Sequence, residues 1–154
     1  MAKRPAPSNK AAAIVDALSQ TLADTYTLRL RTQGVHWNVE GPLFHPIHSL
    51  TEEQYNELTI AADDIAERIR ALGAKAPASY ADFDRLAAIP SSAISGKQDA
   101  MLKQLVKDNE TVAKRLKAAV ELTGEAGDDA TQDMLIERVQ VHEKAIWMLK
   151  AMLG

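Results

Sequence analysis

A chain of 154 residues that is 46% hydrophobic and 25% charged carries enough apolar material for one full core and suits a single compact domain. Its net charge of −3 argues against a body built to bind nucleic acid, and the absence of cysteine excludes disulfides and thiolate metal sites, leaving His, Asp and Glu as metal ligands. The longest apolar runs, Ala11 to Val15 and Ala145 to Leu149, are too short for a membrane span or a secretory leader, so the expected location is cytoplasmic.

Few Gly and Pro and an abundance of Ala, Leu, Lys, Glu and Gln favour helices. The opening "MAKRPAPSNK" is basic, with Lys3, Arg4 and Lys10 and no acid, and its prolines oppose regular structure. The expected division is a flexible tail over 1–8 and one bundle domain over 9–154. From Ser8, a plausible N-cap, apolar residues Ile14, Leu18, Leu22, Tyr26 and Leu30 recur every fourth position, predicting a helix to about His36 or Asn38. Gly41 and Pro42 break it.

A second stripe at Ile47, Leu50, Leu58, Ala61, Ile65, Ile69 and Leu72 predicts a helix ended by Gly73 and Pro77. Residues 74–94 read as a long connection with one or two helical turns around Phe83 and Leu86. Ser95 with Gln98 suggests a capping box for a third long helix reaching Gly124, and Asp128 or Asp129 can cap a fourth through Leu135, His142, Ile146 and Leu149. Four long helices with one long crossover match an all-α, ferritin-like four-helix bundle, although periodicity alone leaves other bundles open.

Within the second helix, His48 and Glu52 are four residues apart, as are Asp63 and Glu67, so each pair shares a face. Charged pairs at this spacing are more often a solvated face than a metal site. The two pairs lie about 22 Å apart along the axis, too far for one chain to join them at a single ion. No His has a Glu three residues before it, which argues against a di-iron site inside one subunit. Two copies running antiparallel about a two-fold axis can join them, because positions 48 and 67 share their midpoint with 52 and 63. His36, near the end of the first helix, can complete each site. Two imidazoles and three carboxylates suit Fe(II) or Mn(II).

These residues resemble the ferritin-like Dps family, the DNA-protecting proteins of starved cells. The resemblance runs through "LADTYTLRLRTQGVHWNVEGPLFHPIHSL", "EEQYNEL", "DDIAERIRALG" and "VHEKAIWMLKAML", in the expected order over most of the chain. It implies a hollow homododecamer built from two-fold dimers that oxidises iron, Fe(II) to Fe(III), with hydrogen peroxide or O2, stores the ferric mineral and protects DNA. It further implies ferroxidase ligands His36, His48 and Glu52 from one subunit with Asp63 and Glu67 from its partner. Family members often carry Asp where Glu52 stands and another His where Gln33 stands.

The resemblance also implies a sacrificial electron donor at Trp37, for which interface packing is an equally good reading. An acidic iron-entry pore is implied at Asp129 and Asp133, departed from at Gly124, with Glu125 as a neighbouring acid. Asp129 equally serves a helix N-terminus. His45 and His142 match no ligand position. Non-specific DNA binding through Lys3, Arg4 and Lys10 defines the competing reading, a nucleoid-associated protein whose metal site is secondary. Twelve tails favour it by avidity, and a net acidic shell opposes it.

Overall fold

The computed structural model describes residues 9–154. Five helices occupy them: α1 (Asn9–Asn38), α2 (Phe44–Ala71), the short α3 (Tyr80–Leu86), α4 (Gln98–Ala126) and α5 (Asp129–Ala151). No strand occurs among the described residues, and none of their helices is long and apolar enough to cross a membrane. The proposed cap Ser8, the basic residues Lys3 and Arg4 and the whole of the expected tail lie outside the described residues. Lys10 belongs to the first turn of α1 and is exposed.

α1 packs against α2, α3 and α4, and α4 packs against α5. The fourth side of the bundle, between α2 and α5, is bridged by side-chain ion pairs, Glu57 with Arg138 and Arg68 with Asp128. The core follows the expected stripes except at Leu30, which is 44% exposed, while Leu28 is buried. Leu18, Leu28, Ile47, Ile65, Ile69, Leu102, Leu105, Leu116, Leu135 and Leu149 are all fully buried.

Two helix ends differ from the sequence expectation. Lys97, not Ser95, caps α4, and no side chain closes that cap. The Gln98 amide is occupied elsewhere: its oxygen accepts from the Leu43 N–H at 2.8 Å and so ties the α1–α2 turn to α4. That oxygen lies against Gly41, whose φ of 131° and close approach leave no room for a side chain. α4 also runs past Gly124. It ends at Gly127, φ 74°, where the Gly127 N–H bonds Gly124 and the Asp128 N–H bonds the Thr123 carbonyl, a Schellman closure. Asp128 then caps α5 by accepting from the Thr131 N–H at 3.1 Å.

The crossover is fixed by charges buried under it. Arg31 Nε donates to Asp108 Oδ2 at 2.7 Å, its guanidinium also reaches the Ser92 carbonyl, and Gln104 donates to the other Asp108 oxygen at 2.9 Å. Asp24 accepts from the Ala88 N–H at 2.7 Å and from Arg115 at 3.2 Å. Burial raises the Asp24 carboxyl above its ordinary value despite both donors. The loop after α3 is thereby held at Ala88 and Ser92 to Asp24 and Arg31 of α1, which in turn pair with α4, and Phe83 on α3 meets Tyr26 on α1 at 4.8 Å between ring centres.

Candidate metal centre

The two histidines proposed as ligands meet where the end of α1 crosses the start of α2. Each ring is held by the other residue's backbone: His36 Nδ1 lies 2.7 Å from the His48 carbonyl oxygen, and His48 Nδ1 lies 2.7 Å from the His36 carbonyl oxygen. A carbonyl oxygen only accepts, so in each neutral ring the proton sits on Nδ1 and the lone pair on Nε2. A metal-binding imidazole needs this tautomer, set by a second-shell acceptor.

The rings stack with centroids 3.7 Å apart and planes 14° from parallel. Phe44 lies over His48 at 5.1 Å, and Tyr55 meets His36 edge-on at 5.2 Å. Phe44 is four residues before His48, a spacing visible in the sequence, whereas the contact of Tyr55 with His36 joins two helices and no local spacing records it. His36 is buried and His48 half-buried.

Glu52, Asp63 and Glu67 are all exposed on α2. With His48 and Ile60 they lie within about 120° of helix arc. Ile60 is 66% exposed in the middle of this stripe, and Trp37 beside His36 is 62% exposed. Trp37 makes no ring contact with either histidine among the described residues. No three of His, Asp and Glu converge within the described residues of one chain. The structure therefore brings the two histidines together and leaves the acids further along α2.

Asp129 and Asp133, the residues expected to line a pore, are exposed on the first two turns of α5, one turn apart. Next to them, Asp128 is engaged structurally. Burial works to raise its carboxyl, but the Thr131 hydroxyl and N–H and the Arg68 guanidinium together hold it below the ordinary range. At Gly124 a side chain would run into the Gln132 amide, which crosses from α5 to donate to the Val120 carbonyl at 3.2 Å. The obstacle there is a side-chain end and not the α5 backbone. His45 is exposed, whereas His142 is buried in the bundle.

The ferritin family model, a ferritin-like domain, matches residues 15–154. A "DNA protection during starvation protein 2" from Bacillus anthracis is 32% identical over 141 residues, 92% of this chain and 97% of that protein. The chain belongs to the ferritin-like Dps family. General stress protein 20U from Bacillus subtilis is 33% identical over the same shares of the two chains. Among solved structures, Dps from Bacillus brevis superposes with a TM-score of 0.93 at 30% identity, covering 97% of this chain and 100% of that one. The Vibrio cholerae O1 Dps, described as one of a broad superfamily of ferritin-like diiron-carboxylate proteins, gives 0.91 at 28% identity over 99% and 100%. The Dps bundle accounts for the single long crossover and for the short helix within it.

Proposed function

We propose that the protein is a ferroxidase and iron store whose catalytic centre forms between two copies of α2. His36, His48 and Glu52 come from one subunit, and Asp63 and Glu67 from its two-fold partner. The observation that carries this reading is the reciprocal hydrogen bonding that presents both Nε2 lone pairs. Exposed Ile60 and Trp37 beside the ligands supply apolar area for the dimer to cover.

The ring geometry bears on how many ions each site takes. Imidazole binds metal close to its own ring plane at about 2.0–2.1 Å. One ion shared by two near-parallel rings 3.7 Å apart would sit almost 2 Å out of each plane. Each histidine therefore addresses its own ion, which suits a two-metal centre.

Two Fe(II) then supply the two electrons that hydrogen peroxide requires: with two protons, one peroxide and two Fe(II) give two Fe(III) and two waters. Pairing the electrons avoids hydroxyl radical release. The carboxylates of Glu52, Asp63 and Glu67 stabilise the higher charge as it develops, with peroxide or O2 as oxidant. The ferric product is stored within a homododecameric shell, Asp129 and Asp133 drawing Fe(II) toward it, and consuming Fe(II) and peroxide together without releasing hydroxyl radical protects DNA. A His36→Ala/His48→Ala variant that still assembles should lose peroxide-dependent Fe(II) oxidation, and an unchanged rate would overturn the assignment.

Direct DNA binding is a separable proposal resting on Lys3, Arg4 and Lys10. Removing residues 1–10 should abolish any gel shift of DNA at low salt, and an equal shift with and without them would reject the tail as the contact.

A further inference from the structure

Four aromatic rings form one column where the end of α1 meets the start of α2. Phe44, His48 and Tyr55 lie on a single stripe of α2, at i, i+4 and i+11. Phe44 stacks on His48 with centroids 5.1 Å apart and planes 28° from parallel. Between His48 and Tyr55 the helix climbs about 10.5 Å, a gap wide enough for one more ring. His36 of α1 fills it, 3.7 Å from the His48 centroid and 5.2 Å from that of Tyr55. Phe44 makes no ring contact with His36 among the described residues, so it covers the face of His48 that His36 leaves free.

Core packing does not account for the two end rings. In the subunit Phe44 is 44% exposed and Tyr55 half-buried, so neither belongs to the apolar interior beneath them. What they touch is the pair of imidazoles. Each imidazole is already tied through Nδ1 to a carbonyl oxygen at 2.7 Å. One hydrogen bond fixes the direction of that N–H but leaves the ring free to rock about it. Tilt matters at Nε2, because an imidazole holds a metal close to its own plane at about 2.0–2.1 Å. Rocking carries a bound ion away from its other ligands, and a misplacement of about 1 Å can cost on the order of 100-fold in rate. Neighbouring rings remove that freedom. His48 is enclosed between Phe44 and His36, and His36 is held between the His48 face and Tyr55, whose ring stands at 73° to it.

We propose that Phe44 and Tyr55 are positioning residues of the proposed metal centre. They close the column at its two ends and hold the imidazole planes at the tilt that aims each Nε2 at its own ion. The proposal rests on the reading of His36 and His48 as ligands.

Co(II) is the probe, since its visible absorption follows its coordination geometry and needs no turnover. Phe44→Leu and Tyr55→Leu keep apolar bulk and lose the ring. In the assembled protein each should still bind two Co(II) per site, one of them about tenfold more weakly and with altered absorption, and should oxidise Fe(II) with peroxide about 10–100-fold more slowly. In metal-free crystals of Phe44→Leu, the His48 plane should depart from its present 14° to His36 while both Nδ1 bonds remain. Phe44→Tyr and Tyr55→Phe keep a ring and should restore affinity, absorption and rate. Wild-type Co(II) affinity and absorption in either leucine variant overturn the proposal. So does a loss in Tyr55→Phe as large as in Tyr55→Leu, which would make the hydroxyl the working group. Two Co(II) per site retained in His36→Ala/His48→Ala would instead overturn the ligand reading itself.

Discussion

His36 and His48 each donate from Nδ1 to the other's carbonyl oxygen at 2.7 Å, so each ring is oriented by a backbone atom that survives loss of the partner's side chain. His48→Ala should therefore leave His36 anchored and competent. Titration with Co(II) or Zn(II), which peroxide does not carry through the iron cycle, should fall from two ions per site to one in either single variant and to none in the double. A fall from two directly to none in His48→Ala would show that the ions are not addressed separately. Fe(II) oxidation by peroxide should slow at least tenfold in each single variant, because removing a metal's ligand or its orienting partner typically costs 10–100-fold.

The helices and most of the buried stripe were legible in the sequence because spacing at i and i+4 is a direct consequence of helical geometry. Ile14, Leu18 and Leu22 on α1 and Leu58, Ile65 and Ile69 on α2 all point inward as the period requires. Helix ends were less legible. The residues that could cap α4 were visible, but Gln98 found a stronger partner in the Leu43 N–H, a tertiary choice no local pattern records. Gly124 misled because a glycine inside a helix and a glycine after one look alike, and only the contact with Gln132 explains the former. At the proposed metal centre the candidate residues were visible in the sequence, but the Nδ1 anchors of the histidines were not, since both acceptors are main-chain atoms.

The pair Arg31 and Asp108 is almost wholly removed from water, at 4% and 2% side-chain exposure, and holds the crossover through Ser92. Arg31→Met leaves Asp108 charged with only Gln104 to solvate it, and should cost about 3–5 kcal/mol by denaturant unfolding. Arg31→Met/Asp108→Leu should cost clearly less, since no charge is then stranded. A double variant as unstable as the single would mean that the Ser92 tether, not the buried charge, dominates.

His142 makes stability fall with acid. Its imidazole titrates near 6.5 when unfolded, and burial together with the neighbouring Arg138 guanidinium pushes it down to about 3 when folded. Between those values the unfolded chain binds a proton that the folded chain does not. Stability must then decline as pH falls from about 6.5 toward 3, by roughly 3–5 kcal/mol at the limit. Asp128, held low, loses its contribution in the same direction below its ordinary value, whereas Asp24, raised by burial, works the opposite way. Urea midpoints at pH 7 and pH 5 should therefore differ markedly more in the wild type than in His142→Phe, where the proton has nowhere to go.

In the proposed iron-entry role, Asp129 and Asp133, exposed at the start of α5, act by field rather than by contact. Asp129→Asn/Asp133→Asn should slow Fe(II) uptake several-fold at low ionic strength and much less at 0.5 M salt, where screening shortens the reach of every exposed charge. Gly124→Asp should be tolerated. The obstacle is the free end of the Gln132 side chain, which can swing aside at the cost of its bond to the Val120 carbonyl, about 1 kcal/mol, partly offset by replacing a helical glycine.

The composite nature of the proposed centre has a test that no single-chain site can pass. A chain carrying His36→Ala/His48→Ala keeps its acids, and one carrying Asp63→Asn/Glu67→Gln keeps its histidines. Each alone has no intact site if histidines and acids come from different subunits. Dissociated and reassembled together in equal amounts, half of the dimers are mixed, and each mixed dimer contains one intact centre and one that lacks all four. Peroxide-dependent Fe(II) oxidation should then return to about a quarter of the wild-type rate per shell. If histidines and acids of the same chain formed the centre, every site would stay broken and mixing would restore nothing. The separation of the two pairs along α2 and the exposure of Glu52, Asp63 and Glu67 on the isolated chain support the first outcome.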